Sequence, residues 1–308
     1  MVNNLDTTRV SVVIPTYRDP LRAAALVREL RAQDLPVGVL LEIIVVDDGS
    51  GDNVARALAL AVGDDAKVID LPVNVGRSAA RNAGTSEASS ELIMFMDCDC
   101  LPETPRFIRA HLAAWDEGTV ATIGHVVGNG EGFWHRYQST SSLRRQRQHA
   151  AGVSYSGSSQ NFMVRRTAFD ACGGFDTAYR GYGFEDRDLQ IRLMAHGEVR
   201  WAGDATVRHM DELCMSDVAR KLAEAGGNSA RIFRERHPEA YRQLGYSSLD
   251  VDWHPWLRLP ATLAARMVPA LARGLDRMLA KRWLPYPIAS LLVRALSAAS
   301  YLSGARPG

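Results

Sequence analysis

Short apolar runs alternate with helical stretches over the first hundred residues, and this alternation is the strongest constraint on the fold. Between the runs, apolar residues recur at helical spacing over residues 21–30, 52–62 and 77–88. Strands that alternate with helices in this way form a parallel sheet with right-handed crossovers. The sequence therefore predicts an α/β fold, a mostly parallel sheet flanked by helices. The four predicted strands are Val10–Pro15, Leu41–Val46, Lys67–Leu71 and Leu92–Met96.

The later part of the chain continues this pattern and then changes in composition. Residues 120–127 and 161–164 predict further strands, residues 199–209 predict one extended segment or two short strands, and residues 216–236 predict a helix. Beyond about residue 248, Trp, Leu and Arg recur at helical spacing without further strand patterns. We therefore predict two domains, an α/β domain over residues 1–247 and a helical extension over residues 248–308.

Charge and cysteine content exclude several classes of protein. The 36 basic and 35 acidic residues leave a net charge of +1, so no charge imbalance indicates nucleic-acid binding. The four cysteines lack metal-site or disulfide-framework spacing, which favours a reducing compartment. The amino terminus has no signal-peptide pattern, and no run of about 20 apolar residues predicts a transmembrane helix. A cytoplasmic location is expected.

Two carboxylates follow the fourth apolar run, in the sequence Asp97-Cys98-Asp99. Open α/β sheets bind ligands at the carboxyl ends of their strands, and buried negative charge needs a compensating partner. An Asp-x-Asp pair suits Mg²⁺ or Mn²⁺ that also holds diphosphate oxygens. The other interpretation is a turn or helix cap, where aspartate is common. Cys98 and Cys100 are interpreted as small packing residues rather than soft-metal ligands.

Phosphate-binding glycine motifs are absent from the positions where this fold class would carry them. Pro15-Thr16-Tyr17 follows the first strand, where a dinucleotide-binding dehydrogenase has its glycine-rich turn, and no P-loop is present. Acidic strand ends and a cation are therefore expected to hold the ligand instead.

A second acidic pair, Glu185-Asp186, opens the predicted helix in residues 181–195 after the glycines Gly181 and Gly183. These glycines indicate a loop that moves or lies close to a ligand. The acids belong to the site, or they lie in the first helical turn because the helix dipole favours them there. His209 ends the extended segment that follows, and a lone histidine is a structural residue or a metal ligand.

In this order, the motifs identify a resemblance to the family-2 glycosyltransferases of the GT-A fold. The resemblance covers Val10 to His209, and its specificity comes from the number of motifs in the correct order rather than from any one of them. The motifs are VSVVIPTY, IIVVDDGS, NVGRSAARNAG, MDCDC, GGFD, GYGFEDRDLQIRL and the final His209.

The resemblance implies roles for residues that bind a nucleotide sugar. Pro15 and Tyr17 would line the base pocket, and Asp48 would hydrogen-bond the nucleobase, in keeping with uridine. Arg77 would lie near the base and the diphosphate, and Asp97 would reach the ribose or the sugar.

The resemblance also implies the cation site and the catalytic groups. Asp99 and His209 would bind the divalent cation, Mn²⁺ or Mg²⁺. Asp186 would be the catalytic base, and Glu185 beside it would position the acceptor. Residues 134–159 and 179–184 would contribute to the acceptor surface.

These roles imply an inverting hexosyl- or N-acetylhexosaminyltransferase that moves a sugar from a nucleotide-diphosphate donor, a UDP-sugar, to a hydroxyl acceptor. A glycolipid or a polysaccharide or cell-envelope precursor is the expected acceptor. Two alternatives remain open at this point, a catalytically inactive nucleotide-sugar-binding module and a sugar-1-phosphate nucleotidyltransferase.

The carboxyl-terminal stretch, residues 253–302, combines Trp and Leu at helical spacing with interleaved Arg and Lys. A basic amphipathic helix of this kind is typical of a membrane-surface element that faces anionic lipid. A peripheral position on the inner face of the cytoplasmic membrane is therefore expected. The alternative is packing against the catalytic domain or a second subunit.

Overall fold

The computed structural model describes residues 8–281 and 283–305 of the 308-residue chain. The predicted strands are present with bounds that lie within two residues of the predicted ones, and residues 198–209 form one strand rather than two. Within the described residues the eight strands are β1 (Thr8–Thr16), β2 (Val39–Asp47), β3 (Lys67–Asp70), β4 (Leu92–Phe95), β5 (Cys100–Pro102), β6 (Thr119–Gly128), β7 (Phe162–Arg165) and β8 (Glu198–His209).

The predicted helices are confirmed as well, apart from the helix predicted over residues 216–236. A π-helical segment, Ala225–Ser229, separates it into two α-helices. The α-helices are α1 (Pro20–Arg31), α2 (Asp52–Val62), α3 (Arg77–Ser86), α4 (Phe107–Ala113), α5 (Phe133–Ala150), α6 (Arg166–Ala171), α7 (Glu185–Leu193), α8 (Met215–Glu224), α9 (Ala230–Arg236), α10 (Pro238–Gln243), α11 (Arg258–Ala280) and α12 (Tyr286–Gly304).

One sheet joins all eight strands of the described residues, in the order β3-β2-β1-β4-β7-β6-β8-β5. Parallel pairing joins β1 to β2 and β4, β2 to β3, and β6 to β8. Strand β7 is antiparallel to β4 and β6, and β5 is antiparallel to β8. The α/β fold is thus confirmed, with a mixed sheet in which parallel pairs are a narrow majority.

The described residues form two compact units. The first takes in residues 8–129, 138–177 and 189–211, and it contains the sheet. Residues on the two faces of the central strands separate into two apolar clusters, because successive side chains of a strand point to opposite faces. Val12 and Ile14 belong to one cluster, whereas Val13 belongs to the other.

The second unit takes in residues 130–137, 178–188, 212–281 and 283–305. Within it, α8, α11 and α12 pack together around an apolar cluster that includes Val268, Leu275 and Val293. A side chain at Gly226 would collide with the backbone of Tyr301, so glycine permits the close approach of the π-helical segment to α12. The predicted domain boundary between residues 247 and 248 stays a prediction.

None of the helices in the described part of the chain combines the length and the apolar character that crossing a bilayer requires.

Candidate active site

Several of the predicted site residues follow the carboxyl ends of neighbouring parallel strands. Strands β1, β2 and β4 end on the same edge of the sheet because they are parallel. Pro15 is buried near the end of β1, and Tyr17 directly follows the strand with 43% of its surface exposed. Asp48 and Asp97 follow β2 and β4. This edge therefore gathers the residues that the resemblance assigns to nucleotide binding.

Asp48 is buried and organises the loop that precedes α3. Its Oδ1 accepts a hydrogen bond from the Val75 backbone N–H at 2.8 Å, and its Oδ2 accepts one from Gly76 at 3.0 Å. Gly76 has a φ of +89°, a backbone conformation that glycine adopts without strain. The carboxylate thus fixes the position from which α3 begins, and each oxygen retains a further lone pair for a ligand.

Asp97 is held by a buried arginine that the sequence analysis did not single out. The Arg81 Nη2 donates to Asp97 Oδ1 at 2.6 Å, and Arg81 is 1% exposed. Burial by itself raises the pKa of Asp97, but Arg81 and Arg77 outweigh it, and the net pKa lies below the usual value. Asp97 is therefore a fixed anion at the strand end.

Arg77 and Arg81 are one helical turn apart on α3. Residues at i and i+4 lie on the same helix face, so the spacing in NVGRSAARN was a signal that both arginines serve one anionic centre. Only Arg77 was predicted from the sequence; Arg81 makes the closer contact.

Asp99, Cys100 and His209 come together where β5 meets β8. Cys100 and His209 are cross-strand partners in the antiparallel pairing, and the Met210 backbone N–H donates to Asp99 O at 2.7 Å. The His209 Nε2 lies 3.5 Å from Asp99 Oδ2, and the Cys100 Sγ lies 3.5 Å from Asp99 Oδ1. One ligating atom from each of the three residues lies within 4.8 Å of the others.

The environment of this cluster is short of positive charge. Burial and the nearby Asp97 carboxylate raise the pKa of Asp99, and His209 only partly offsets them. Burial also raises the pKa of Cys98 to about 12, and burial with Asp99 and Asp97 raises that of Cys100 well above the usual value. A bound cation would relieve the repulsion between the two carboxylates.

The residues present fit a divalent cation. His209 is 6% exposed, and its Nδ1 has no hydrogen-bond partner within the described residues. Buried imidazole nitrogens are normally satisfied by a donor, an acceptor or a metal. With a carboxylate and an imidazole 3.5 Å apart, Asp99 and His209 would hold the cation.

Glu185 and Asp186 lie in the second unit, in the first turn of α7. Glu185 is buried and Asp186 is partly buried. Phe184, the residue before them, has a φ of +74°, which is unfavourable for a residue with a side chain. Its ring stacks on Phe233 at a centroid distance of 4.8 Å. The aromatic contact holds the strained backbone from which the acidic turn begins.

Asp188, on the same helix, is 1% exposed and anchors α7 within the second unit. The His237 Nε2 donates to its Oδ1 at 2.8 Å, and the Tyr179 hydroxyl donates to the same oxygen at 3.4 Å. This anchor was not predictable from the sequence, because its partners Tyr179 and His237 are 58 residues apart. Asp188 is therefore a structural carboxylate beside the predicted catalytic pair.

Residues 11–173 match the profile of glycosyl transferase family 2, and residues 148–204 match one described as the N-terminal domain of galactosyltransferase. Among curated relatives, a pre-mycofactocin glycosyltransferase of Mycobacterium tuberculosis is 31% identical over 241 residues, which are 75% of this chain and 48% of the relative. An undecaprenyl-phosphate 4-deoxy-4-formamido-L-arabinose transferase of Klebsiella pneumoniae is 28% identical, over 66% of this chain and 60% of the relative.

This chain thus spans about half to three fifths of the length of those two relatives. Solved structures share its fold. The mannosyltransferase PcManGT of Pyrobaculum calidifontis, in complex with GDP-Man and Mn²⁺, gives a TM-score of 0.63 at 17% identity, covering 96% of this chain and 86% of its own. S. aureus TarS 1–349 with UDP-GlcNAc gives 0.53 at 18% identity, covering 97% and 90%. Because the family profile matches more than half of its residues, the chain belongs to glycosyl transferase family 2.

Proposed function

We propose that this protein is an inverting glycosyltransferase that moves a hexosyl or N-acetylhexosaminyl group from a UDP-sugar to a hydroxyl acceptor. The observation that carries the proposal is the pairing of Asp99 with His209, 3.5 Å apart, next to an Asp97 held anionic by Arg81. Family membership supports it, as do the nucleotide sugars named in the titles of the two similar structures.

The donor would lie along the edge formed by the ends of β1, β2 and β4. Pro15 and Tyr17 would contact the base, and the free lone pairs of Asp48 would accept from the uracil N–H. Arg77, exposed at the start of α3, would meet the diphosphate. Asp97, already oriented by Arg81, would accept from a ribose or sugar hydroxyl.

The leaving group is a nucleoside diphosphate, which gains negative charge as the anomeric C–O bond breaks. Asp99 and His209 would hold a Mn²⁺ or Mg²⁺ ion, which would supply electrostatic stabilisation of that charge. Arg77 would add a second positive charge to the same group. These residues do for the leaving group what a glycine-rich phosphate loop does in other α/β proteins.

The acceptor hydroxyl is a weak nucleophile at neutral pH and needs a base. Asp186 would take its proton as the oxygen attacks the anomeric carbon, and Glu185 would accept a hydrogen bond that orients the acceptor. Attack from the side opposite the diphosphate occurs in one displacement and inverts the anomeric configuration. The acceptor surface would include residues 134–159 and 179–184.

Calorimetric titration with a panel of nucleotide sugars, with and without Mn²⁺, tests the donor and the cation together. We expect UDP-sugars to bind best and Mn²⁺ to strengthen binding. Asp99→Ala should lose the Mn²⁺ dependence, whereas Asp204→Ala, an exposed acid on β8, should keep it. Unchanged Mn²⁺-dependent binding by Asp99→Ala would overturn the cation assignment, and binding without any UDP release or transfer would indicate an inactive binding module.

We further propose that the acceptor is lipid-linked and that α11 and α12 rest on the membrane. One face of α11 packs inside the second unit through residues such as Val268 and Leu275. The other face carries an exposed apolar strip of Leu259, Leu263, Met267 and Leu271, and Arg266, Arg273 and Arg277 of the same helix are exposed as well, as is Lys281 just after it. Trp256 before α11 and Ile288, Leu291 and Leu292 on α12 add further exposed apolar side chains.

An apolar strip bordered by basic side chains matches a surface of anionic lipid, since each arginine or lysine contributes about 1 kcal/mol near such a surface. The name of the Klebsiella relative contains undecaprenyl phosphate, a lipid, and this supports a lipid-linked acceptor here. The proposed location is the inner face of the cytoplasmic membrane, where nucleotide sugars are available.

Flotation with vesicles tests the membrane proposal. We expect binding to phosphatidylglycerol vesicles, weaker binding to phosphatidylcholine vesicles, and release by salt. Replacing Leu259, Leu263 and Met267 together by Gln should abolish flotation. The matched triple replacement of the exposed Leu40, Leu60 and Val73 of the first unit should not. Equal flotation of both triple variants would contradict the proposal.

A further inference from the structure

We propose that Cys100 is a third donor at the cation site, so that Asp99, Cys100 and His209 together bind Zn²⁺ and other thiophilic divalent cations more tightly than Mn²⁺ or Mg²⁺. This inference rests on the proposed cation site and deepens it by naming the class of cation that the site prefers.

The backbone fixes the thiol in this position. Cys100 is the first residue of β5 and pairs directly with His209 at the end of β8, so the two side chains share one face of the sheet. Cys100 is fully buried, and its N–H donates to Asp97 O at 3.0 Å. Cys98 lies in the turn before the strand, and the cluster of ligating atoms found among the described residues includes Cys100 and not Cys98.

The spacing of the donor atoms suits a tetrahedral ion. Zinc bonds of about 2.0–2.3 Å to oxygen, nitrogen and sulfur, at tetrahedral angles, separate the donors by about 3.3–3.6 Å. The His209 Nε2 lies 3.5 Å from Asp99 Oδ2 and the Cys100 Sγ lies 3.5 Å from Asp99 Oδ1, and one donor atom from each of the three residues lies within 4.8 Å of the other two. Three protein donors leave one position open, the arrangement of zinc sites that also bind a substrate oxygen.

The chemistry of the donors sets the preference. Mg²⁺ favours oxygen ligands, whereas a thiolate with an imidazole favours Zn²⁺, which also exceeds Mn²⁺ in the usual order of divalent affinities. The thiol releases its proton to solvent as the metal–sulfur bond forms. The buried His209 Nδ1, which has no hydrogen-bond partner within the described residues, is an independent sign that the protein alone does not satisfy this ring.

Cobalt titration of the full-length protein tests the inference, because a cobalt–thiolate bond gives a charge-transfer absorption in the near ultraviolet. We expect the band in the wild type and in Cys98→Ser, which removes the neighbouring thiol. Cys100→Ser should lose the band and bind Zn²⁺ at least about tenfold more weakly, the lower end of the loss that accompanies removal of an outer-shell partner. Asp99→Ala should bind cobalt weakly or not at all.

The outcomes separate this inference from the proposed function. A band that persists in Cys100→Ser, or cobalt displaced by Mn²⁺ without any thiolate band in the wild type, would overturn the role of Cys100 and leave the Asp99–His209 site standing. Failure of the wild type to bind Co²⁺, Zn²⁺ or Mn²⁺ would overturn both.

Cys100 is buried in the core, and replacing a buried residue can prevent folding. A second measurement therefore uses the wild-type protein alone. X-ray absorption at the zinc edge should show one sulfur at about 2.3 Å together with oxygen and nitrogen neighbours. A zinc shell of oxygen and nitrogen alone would contradict the proposal even if Cys100→Ser does not fold.

Discussion

The two acidic segments of this protein, Asp97-Cys98-Asp99 in the first unit and Glu185-Asp186 in the second, are held by different means. The first follows a buried strand, and a salt bridge from Arg81, only 16 residues earlier in the chain, fixes Asp97 at 2.6 Å. The second begins a helix after a strained Phe184, whose ring stacks on Phe233, 49 residues later. Asp97 is thus held by a partner close to it in sequence, whereas Phe184 is held by a distant one.

The difference bears on function because the two proposed roles have different demands. A cation site needs donors at fixed separations, which strand ends in a packed sheet provide. A base that removes a proton needs to meet a variable acceptor, and the loop before α7 carries Gly181 and Gly183. Breaking one segment should therefore leave the task of the other largely intact.

The largest expected effect follows from Asp186→Asn in the second acidic segment, Glu185-Asp186. Loss of the proposed base should lower turnover by about 10²–10⁴-fold, while the affinity for the UDP-sugar in the presence of Mn²⁺ stays near the wild-type value. Steady-state kinetics and donor titration measure the two quantities separately.

Glu239→Gln, which removes an exposed acid of the second unit, is the matched control and should keep full turnover. Wild-type turnover by Asp186→Asn would remove this residue from the role of base. A parallel loss of donor affinity would mean that the two segments do not act independently.

The next largest effect concerns the first acidic segment, Asp97-Cys98-Asp99, and changes the stability of the protein. Arg81→Met would leave Asp97, whose side chain is 14% exposed, without its closest cation, and breaking a largely buried pair in this way costs about 3–5 kcal/mol. Urea denaturation measures the free energy of unfolding.

The double variant Arg81→Met/Asp97→Asn should recover much of this loss, because it also removes the buried charge. If the double variant is as unstable as Arg81→Met, the loss of stability does not come from the salt bridge. It then comes from the lost packing of the Arg81 side chain over the Phe175 ring.

The same contrast explains which features were predictable from the sequence. The apolar runs that end in Pro15, Val46 and Met96 identified the buried strands, because both faces of these strands are covered by apolar clusters. The prediction that Cys100 is a packing residue is confirmed, since it lies in an apolar core cluster. Its place beside His209 was not predictable, because cross-strand partners that are distant in sequence leave no pattern in it.

Prediction from the sequence had similar limits in the second unit. The helical spacing that predicted α11 and α12 comes from the buried faces of these helices. The anchor on Asp188 could not be found, because it depends on His237, 49 residues later, and no periodicity links the two. The roles assigned to Asp186 and Glu185 stay predictions.

A smaller effect comes from a buried histidine of the first unit, His111, and concerns the pH dependence of stability. His237 faces the Asp188 carboxylate, whereas His111, fully buried beneath the sheet, contacts the neutral Thr122 at 2.8 Å and Asn161 at 2.7 Å. Burial lowers the pKa of His111 from 6.5 to about 4. Between these values the unfolded chain binds a proton that the folded protein does not, so stability present above pH 6.5 is lost as the pH falls towards 4.

The size of that loss is about 3 kcal/mol for a shift of this extent. Urea denaturation of the wild type and His111→Gln at pH 7 and pH 4.5 measures it, since the variant lacks this contribution to the pH dependence whatever its absolute stability. Identical pH dependence in the two proteins would show that His111 does not retain its low pKa.

The smallest effect tests the strain before the second acidic segment. Phe184→Ala and Phe184→Gly both remove the stack on Phe233, but only alanine must adopt the left-handed backbone with a side chain. We expect Phe184→Ala to be less stable than Phe184→Gly by about 1 kcal/mol, the penalty of that conformation less the entropy that glycine loses on folding. Thermal unfolding and turnover of the two variants measure stability and alignment. If alanine is the more stable of the two, the backbone at residue 184 relaxes once the ring is gone, and the aromatic stack alone maintains the strained turn that presents Glu185 and Asp186.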